Sequence, residues 1–142
     1  MNENLNQNCD RLREAVKSAE TCLARVGQHL VSPESTPLAN WEALLLKATT
    51  QCKAEREPAR QADQRVRVWL EEMEHEAAAP LDETNLDGEI LKAENQADRE
   101  ESLALDALKV SAHAALQAEV AVLQALKTRK TAFDLARFRN VF

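Results

Sequence analysis

Apolar residues recur through the first thirty positions at alternating steps of four and three: Leu5, Cys9, Leu12, Val16, Ala19, Leu23, Val26 and Leu30. This period lays one narrow apolar seam along a helix and is the pattern by which helices pack on helices. It predicts a first helix over 3–31, about 40 Å long at 1.5 Å per residue. Ser32, Pro33, Glu34, Ser35, Thr36 and Pro37 then form a linker over 32–39, because each proline pushes its predecessor out of helical geometry. Asn40 is the expected N-cap of a second helix over 40–78, its side chain accepting from the amides of the first turn. Trp41, Leu45, Ala48, Cys52, Ala59, Ala62, Val66, Trp69 and Met73 keep the same rhythm, with Glu55 as the interruption. The phase is maintained across Pro58, so a kink is expected there rather than a break.

Ala79, Pro80, Leu81, Asp82 and Glu83 mark a second connection over 79–83, and a third helix follows over 84–138, about 75 Å long if unbroken. Gly88 is its weak point. Leu86, Ile90, Ala93, Ala97, Ala104 and Ala107 share one register, whereas Leu105, Leu108, Ala112, Ala115, Val122, Leu126 and Phe133 share another, displaced by one residue. The seam therefore shifts near Glu100 to Leu105, where the helix changes the neighbour it faces. Short connections favour antiparallel neighbours. The expected fold is all-α, an elongated antiparallel three-helix bundle or coiled coil in one domain spanning 1–142, with a long C-terminal helix. Unequal helix lengths imply overhangs at both ends, and an amphipathic overhang must fold back, pair with another copy or bind a partner.

Composition supports this picture. Among 142 residues there are two glycines, four prolines and no tyrosine, 30% of residues are charged and 4% aromatic, a balance typical of long helices. A large aromatic-lined pocket is not expected. The polar start, Met1 to Gln7, lacks the basic and apolar regions of a secretory signal, and no apolar run approaches the roughly 18 residues of a membrane span. A cytoplasmic protein without a transmembrane segment is the expectation. Cys9, Cys22 and Cys52 are odd in number and lack metal-type spacing, which predicts reduced thiols, mostly buried, with Cys9 on the seam.

Charge is unevenly spread beneath the net value of −6. Residues 71–106 hold thirteen acids against Lys92 and Arg99, a local charge of −11, and residues 127–142 hold five bases against Asp134, a local charge of +4. A hairpin of the second and third helices gathers the acids at one tip and leaves the basic tail at the far end. The simpler explanation is that these charges complement the helix dipole and keep the surface soluble; the alternatives are an acidic tip that meets a basic partner, or tip-to-tail association. The tail carries all three phenylalanines, Phe133, Phe138 and Phe142, with Leu135, Phe138 and Phe142 on one helical face and Arg137 and Arg139 off it. Packing back onto the chain's own core is the first expectation for it, a groove on another protein the second and a membrane surface the third.

Chemistry is sparse. Glu71, Glu72, Met73, Glu74, His75 and Glu76 include a Glu-x-x-His pair, Glu72 and His75, the spacing that di-metal four-helix proteins use twice. Here it occurs once, so a metal site needs symmetry between chains, and neither metal nor cofactor is expected. No cysteine or serine has a recognisable catalytic context, and the small basic patch of an acidic chain argues against direct nucleic-acid binding. The leading expectation is a non-enzymatic helical interaction protein, an adaptor, chaperone-like or assembly subunit and possible homo-oligomer. Its expected partner-binding residues are Phe133, Leu135, Arg137, Phe138, Arg139 and Phe142 in the tail and Glu71, Glu72, Glu74 and Glu76 at the tip. The alternatives are an acidic inhibitor or decoy of a nucleic-acid-binding protein, and a metal-dependent helical oligomer.

Overall fold

A computed structural model describes residues 2–31, 33–77 and 79–141, with side chains from Leu5 onward. Its elements are α1 (Asn2–His29), a 3-10 turn at Pro33–Ser35, α2 (Leu38–His75) and α3 (Leu86–Val141), with no strand among the described residues. The all-α bundle with a long C-terminal helix is therefore the observed fold. Asn40 is not the cap of α2. The helix begins as soon as Pro37 is passed, Pro37 sitting in extended geometry (φ −62°, ψ 148°) while its carbonyl accepts the amides of Asn40 and Trp41. α2 then runs unbroken through Pro58, which lies on its exposed side. The start of α3 is built from short polar side chains. Asp82 Oδ1 accepts the Thr84 amide at 3.1 Å and its hydroxyl at 2.6 Å, and Asn85 Oδ1 accepts the Gly88 amide at 3.2 Å. A Cβ at Gly88 would stand 2.4 Å from Asn85 Nδ2, so glycine leaves room for this cap.

Cross-helix pairs fix the topology. Asn8 meets Glu101 and Arg25 meets Glu119, so α1 lies parallel to α3; Glu72 meets Arg99, Arg65 meets Asp106 and Cys52 meets His113, so α2 lies antiparallel to it. α3 is the spine on which the other two helices pack. The contacts between α1 and α2 are slighter and include Cys52 against the Cys22 cluster and an edge-to-face approach of His29 and Trp41 with ring centres 6.2 Å apart.

A helix between two others needs two seams, and α3 has them. Ala115, Leu116 and Glu119 face α1, whereas Asp106, His113, Val120 and Leu123 face α2. The second sequence register of α3 is half-buried or buried from Leu105 to Leu126. The first is exposed from Leu86 to Ala97, because α1 begins its side-chain contacts only at Glu101. The expected shift near Glu100 to Leu105 thus falls where α3 acquires its second neighbour.

The seam of α2 is as expected: Trp41, Ala48, Ala59 and Ala62 are buried, and Leu45, Cys52, Val66 and Trp69 are half-buried. Met73 is exposed, and Trp69 sits beside an open groove rather than in the core. The seam of α1 differs from expectation by a rotation. Asn8, Leu12, Ala15, Ala19, Cys22, Val26 and His29 turn inward, while Leu5, Cys9, Val16, Leu23 and Leu30 are exposed. Cys9 is thus a surface thiol. Small side chains at 15, 19 and 22 let α1 approach the alanine-rich middle of α3, which larger residues would hold away. A buried cluster forms at Trp41, Ala48 and Leu123, with Leu44, Leu45, Val120 and Leu126 around them.

Candidate functional site

Three polar residues of α3, Asp106, His113 and Glu119, lie in the helix interface, each 8% exposed or less. The carboxylate of Glu119 accepts Arg25 Nε at 3.1 Å and Nη2 at 3.3 Å, and His29 Nε2 at 3.2 Å. Burial pushes the Glu119 carboxyl up, but the Arg25 and His29 bonds together outweigh it and hold the group below the ordinary carboxylate value. Arg65 forks onto Asp106 with bonds of 2.8 and 2.9 Å, and this pairing lowers the Asp106 carboxyl in the same way. His113 Nε2 donates to the Cys52 carbonyl at 3.2 Å and lies 3.7 Å from the Cys52 sulfur. The sequence provided no histidine context for this cysteine; the fold supplies one, with the ring nitrogen engaged by a backbone carbonyl. Each pair ties a flanking helix to the spine at one height, and a slip of one turn would leave the carboxylates buried without partners. An apolar count could not find these residues. The available signal was phase, since Asp106 and His113 fall in the series 103, 106, 110, 113, 116, 120 and 123 and Glu119 in the series 105, 108, 112, 115, 119, 122 and 126, with opposite charges at Arg65 and Arg25 in the facing helices.

Beyond the bundle α3 continues in both directions. All residues of 131–141 are exposed, Phe133 to 56%, Leu135 to 64%, Phe138 to 65% and Val141 to 78%. The tail therefore does not fold back on the core: an unbroken helix carries it outward. Lys130 and Arg137 stand over the Phe133 ring at 5.6 and 5.9 Å, which supports the helix locally without covering it. Arg137 and Arg139 project from the same exposed segment, and Phe142 lies outside the described residues.

At the opposite end, Glu71, Glu72, Glu74 and Glu76 are exposed at the close of α2, Glu72 paired with Arg99. The fold gathers them with the acids of the connection and of the first turns of α3. Among these acids lie exposed apolar residues that did not enter the expected site: Leu81, Leu86, Ile90 and Leu91, with Ala93 and Ala97 continuing the row. Leu86 and Ile90 follow a core-type register and look buried until it is known that α1 first meets α3 near Glu101. Glu72, His75, Glu71 and Glu76 share an open groove with Trp69 and Arg99. Among the described residues no three His, Cys, Asp or Glu side chains converge as metal ligands, and no helix is long and apolar enough to cross a membrane. Comparison with known protein families, with curated proteins and with solved structures found no match.

Proposed function

We propose that this chain is a non-enzymatic helical interaction protein, an adaptor, chaperone-like or assembly subunit, that binds other protein through the two protruding ends of α3. The observation that carries this reading is the placement of exposed apolar side chains: the largest, Phe133 and Phe138, stand on a helical extension that the bundle does not cover. Surface of this kind, rimmed by charge, is what partner helices and grooves recognise. The buried polar pairs favour the same reading, because each is fully engaged in holding helices in register.

The test is partner capture with three forms: the full chain, a chain ending at Lys130, and Glu71→Gln/Glu72→Gln/Glu74→Gln/Glu76→Gln. Loss of a stoichiometric partner with either altered form, while helicity and melting midpoint are retained, supports the reading. Identical partners for all three would sink it. Loss confined to the glutamine form, with a nucleic-acid-binding protein as the lost partner, would favour the acidic decoy instead.

A further inference from the structure

The two protrusions match each other. The tail, 131–141, is about 15 Å of helix, and the exposed row from Leu86 to Ala97 is about 16 Å. One is aromatic and basic, with Arg137 and Arg139 against Asp134 over 131–141, a charge of +1; the other is aliphatic and acidic, with Asp87, Glu89 and Glu94 against Lys92 over 86–97, a charge of −2. Dipole compensation concerns the first and last turns, whereas the acidic stretch runs from 71 to 106. The two surfaces cannot meet within one chain, because Ile90 and Phe133 are separated by 43 positions of a single helix, about 65 Å.

We infer that the occupant of each surface is a second copy of this chain, with the tail of one molecule lying along the acidic start of α3 in the next. This rests on the interaction-protein reading above and names the partner. The contact is heterologous: one molecule offers its tail and still has its tip, so association continues into an open line of staggered molecules unless the rotation closes a ring. Apolar burial at Leu86 and Ile90 against the phenylalanines supplies the adhesion, and the opposed charges set direction and speed of encounter. Like ends repel, which disfavours tail-to-tail pairing.

Sedimentation and light scattering of the full chain over a concentration series test this, together with two variants whose changes lie on exposed surface. One ends at Lys130; the other is Leu86→Lys/Ile90→Lys. The full chain is expected to form a series extending past the dimer, weakening at least about tenfold from 0.1 M to 1 M salt as the screening length falls from about 10 Å to about 3 Å. Each variant alone is expected to be monomeric with an unchanged melting curve. Mixed together they form a one-to-one pair and nothing larger, because one retains a tip and the other a tail. A full chain that stays monomeric throughout, an assembly that survives tail removal, or two variants that fail to pair when the full chain assembles would each overturn the proposal. A monomeric chain that still captures a different protein through its tail would refute self-association and leave the broader reading standing; no capture and no assembly would remove both.

Discussion

Glu119 shows what one residue contributes here. Its carboxylate is 4% exposed and holds Arg25 and His29 of the facing helix, so Glu119→Gln keeps the shape and removes the charge. Arg25 is 41% exposed and can turn to water, which limits the loss to about 1–2 kcal/mol in a denaturant melt. The acid side of the stability profile follows from the same group. Its folded pKa lies below the ordinary 4.5, so the stabilisation is present above that value and is lost as pH falls through the lower, folded one. Asp106, held down by Arg65 from its ordinary 3.8, adds to the same limb. Melts below pH 4.5 are expected to show a shallower decline for Glu119→Gln than for the parent; equal slopes would mean the pair does not form. The two tryptophans separate as sharply. Trp41, 2% exposed against Leu123 and Ala48, is expected to cost about 3–5 kcal/mol on truncation to alanine. Trp69, half-buried beside an open groove, is expected to cost less than about 2 kcal/mol, since part of its surface is already in water. Equal losses in urea melts would place both rings in the core.

At the scale of elements, α1 carries a four-three stripe that α3 does not use as a whole. The inward face carries small side chains at Ala15, Ala19 and Cys22, where the helices approach, with Leu12, Val26 and His29 also turned inward, while Leu5, Val16, Leu23 and Leu30 are rotated outward. Two substitutions one residue apart therefore diverge. Leu23→Gln is expected to change stability by no more than about 0.5 kcal/mol. Cys22→Leu adds volume among Ala115, Leu116 and Cys52 and is expected to cost about 1–3 kcal/mol. The reverse order in thermal melts would restore the rotation that the spacing alone suggests. The periodicity of α2 identified its buried face well because one neighbour covers one face. In α3 the apolar periodicity shows a register shift where the structure has two simultaneous seams, one of them written partly in Asp106 and His113.

For the molecule as a whole, α3 sets the length: 56 residues make a rod of about 84 Å, with the flanking helices covering its middle. Small-angle scattering in high salt is expected to give a maximum dimension near this length for the full chain and about 16 Å less for the chain ending at Lys130. The melting midpoint should be unaffected, because the removed residues lie outside the bundle. A truncated chain of unchanged length would mean that the tail folds back in solution. In low salt, elongation in multiples of this rod is the signature of tip-to-tail association.

Sequence by itself determined the helices, their connections to within a few residues, their up-down-up order and the separation of acidic and basic ends, because periodicity, prolines and charge are local and additive along the chain. It also singled out the aromatic tail. Tertiary structure alone decided which side of α1 faces inward, which polar residues are buried, and that the tail extends instead of folding back. Each of these depends on how closely and over what length a second helix approaches. A four-three pattern records that a face is apolar, but not how many neighbours share it or where they stop.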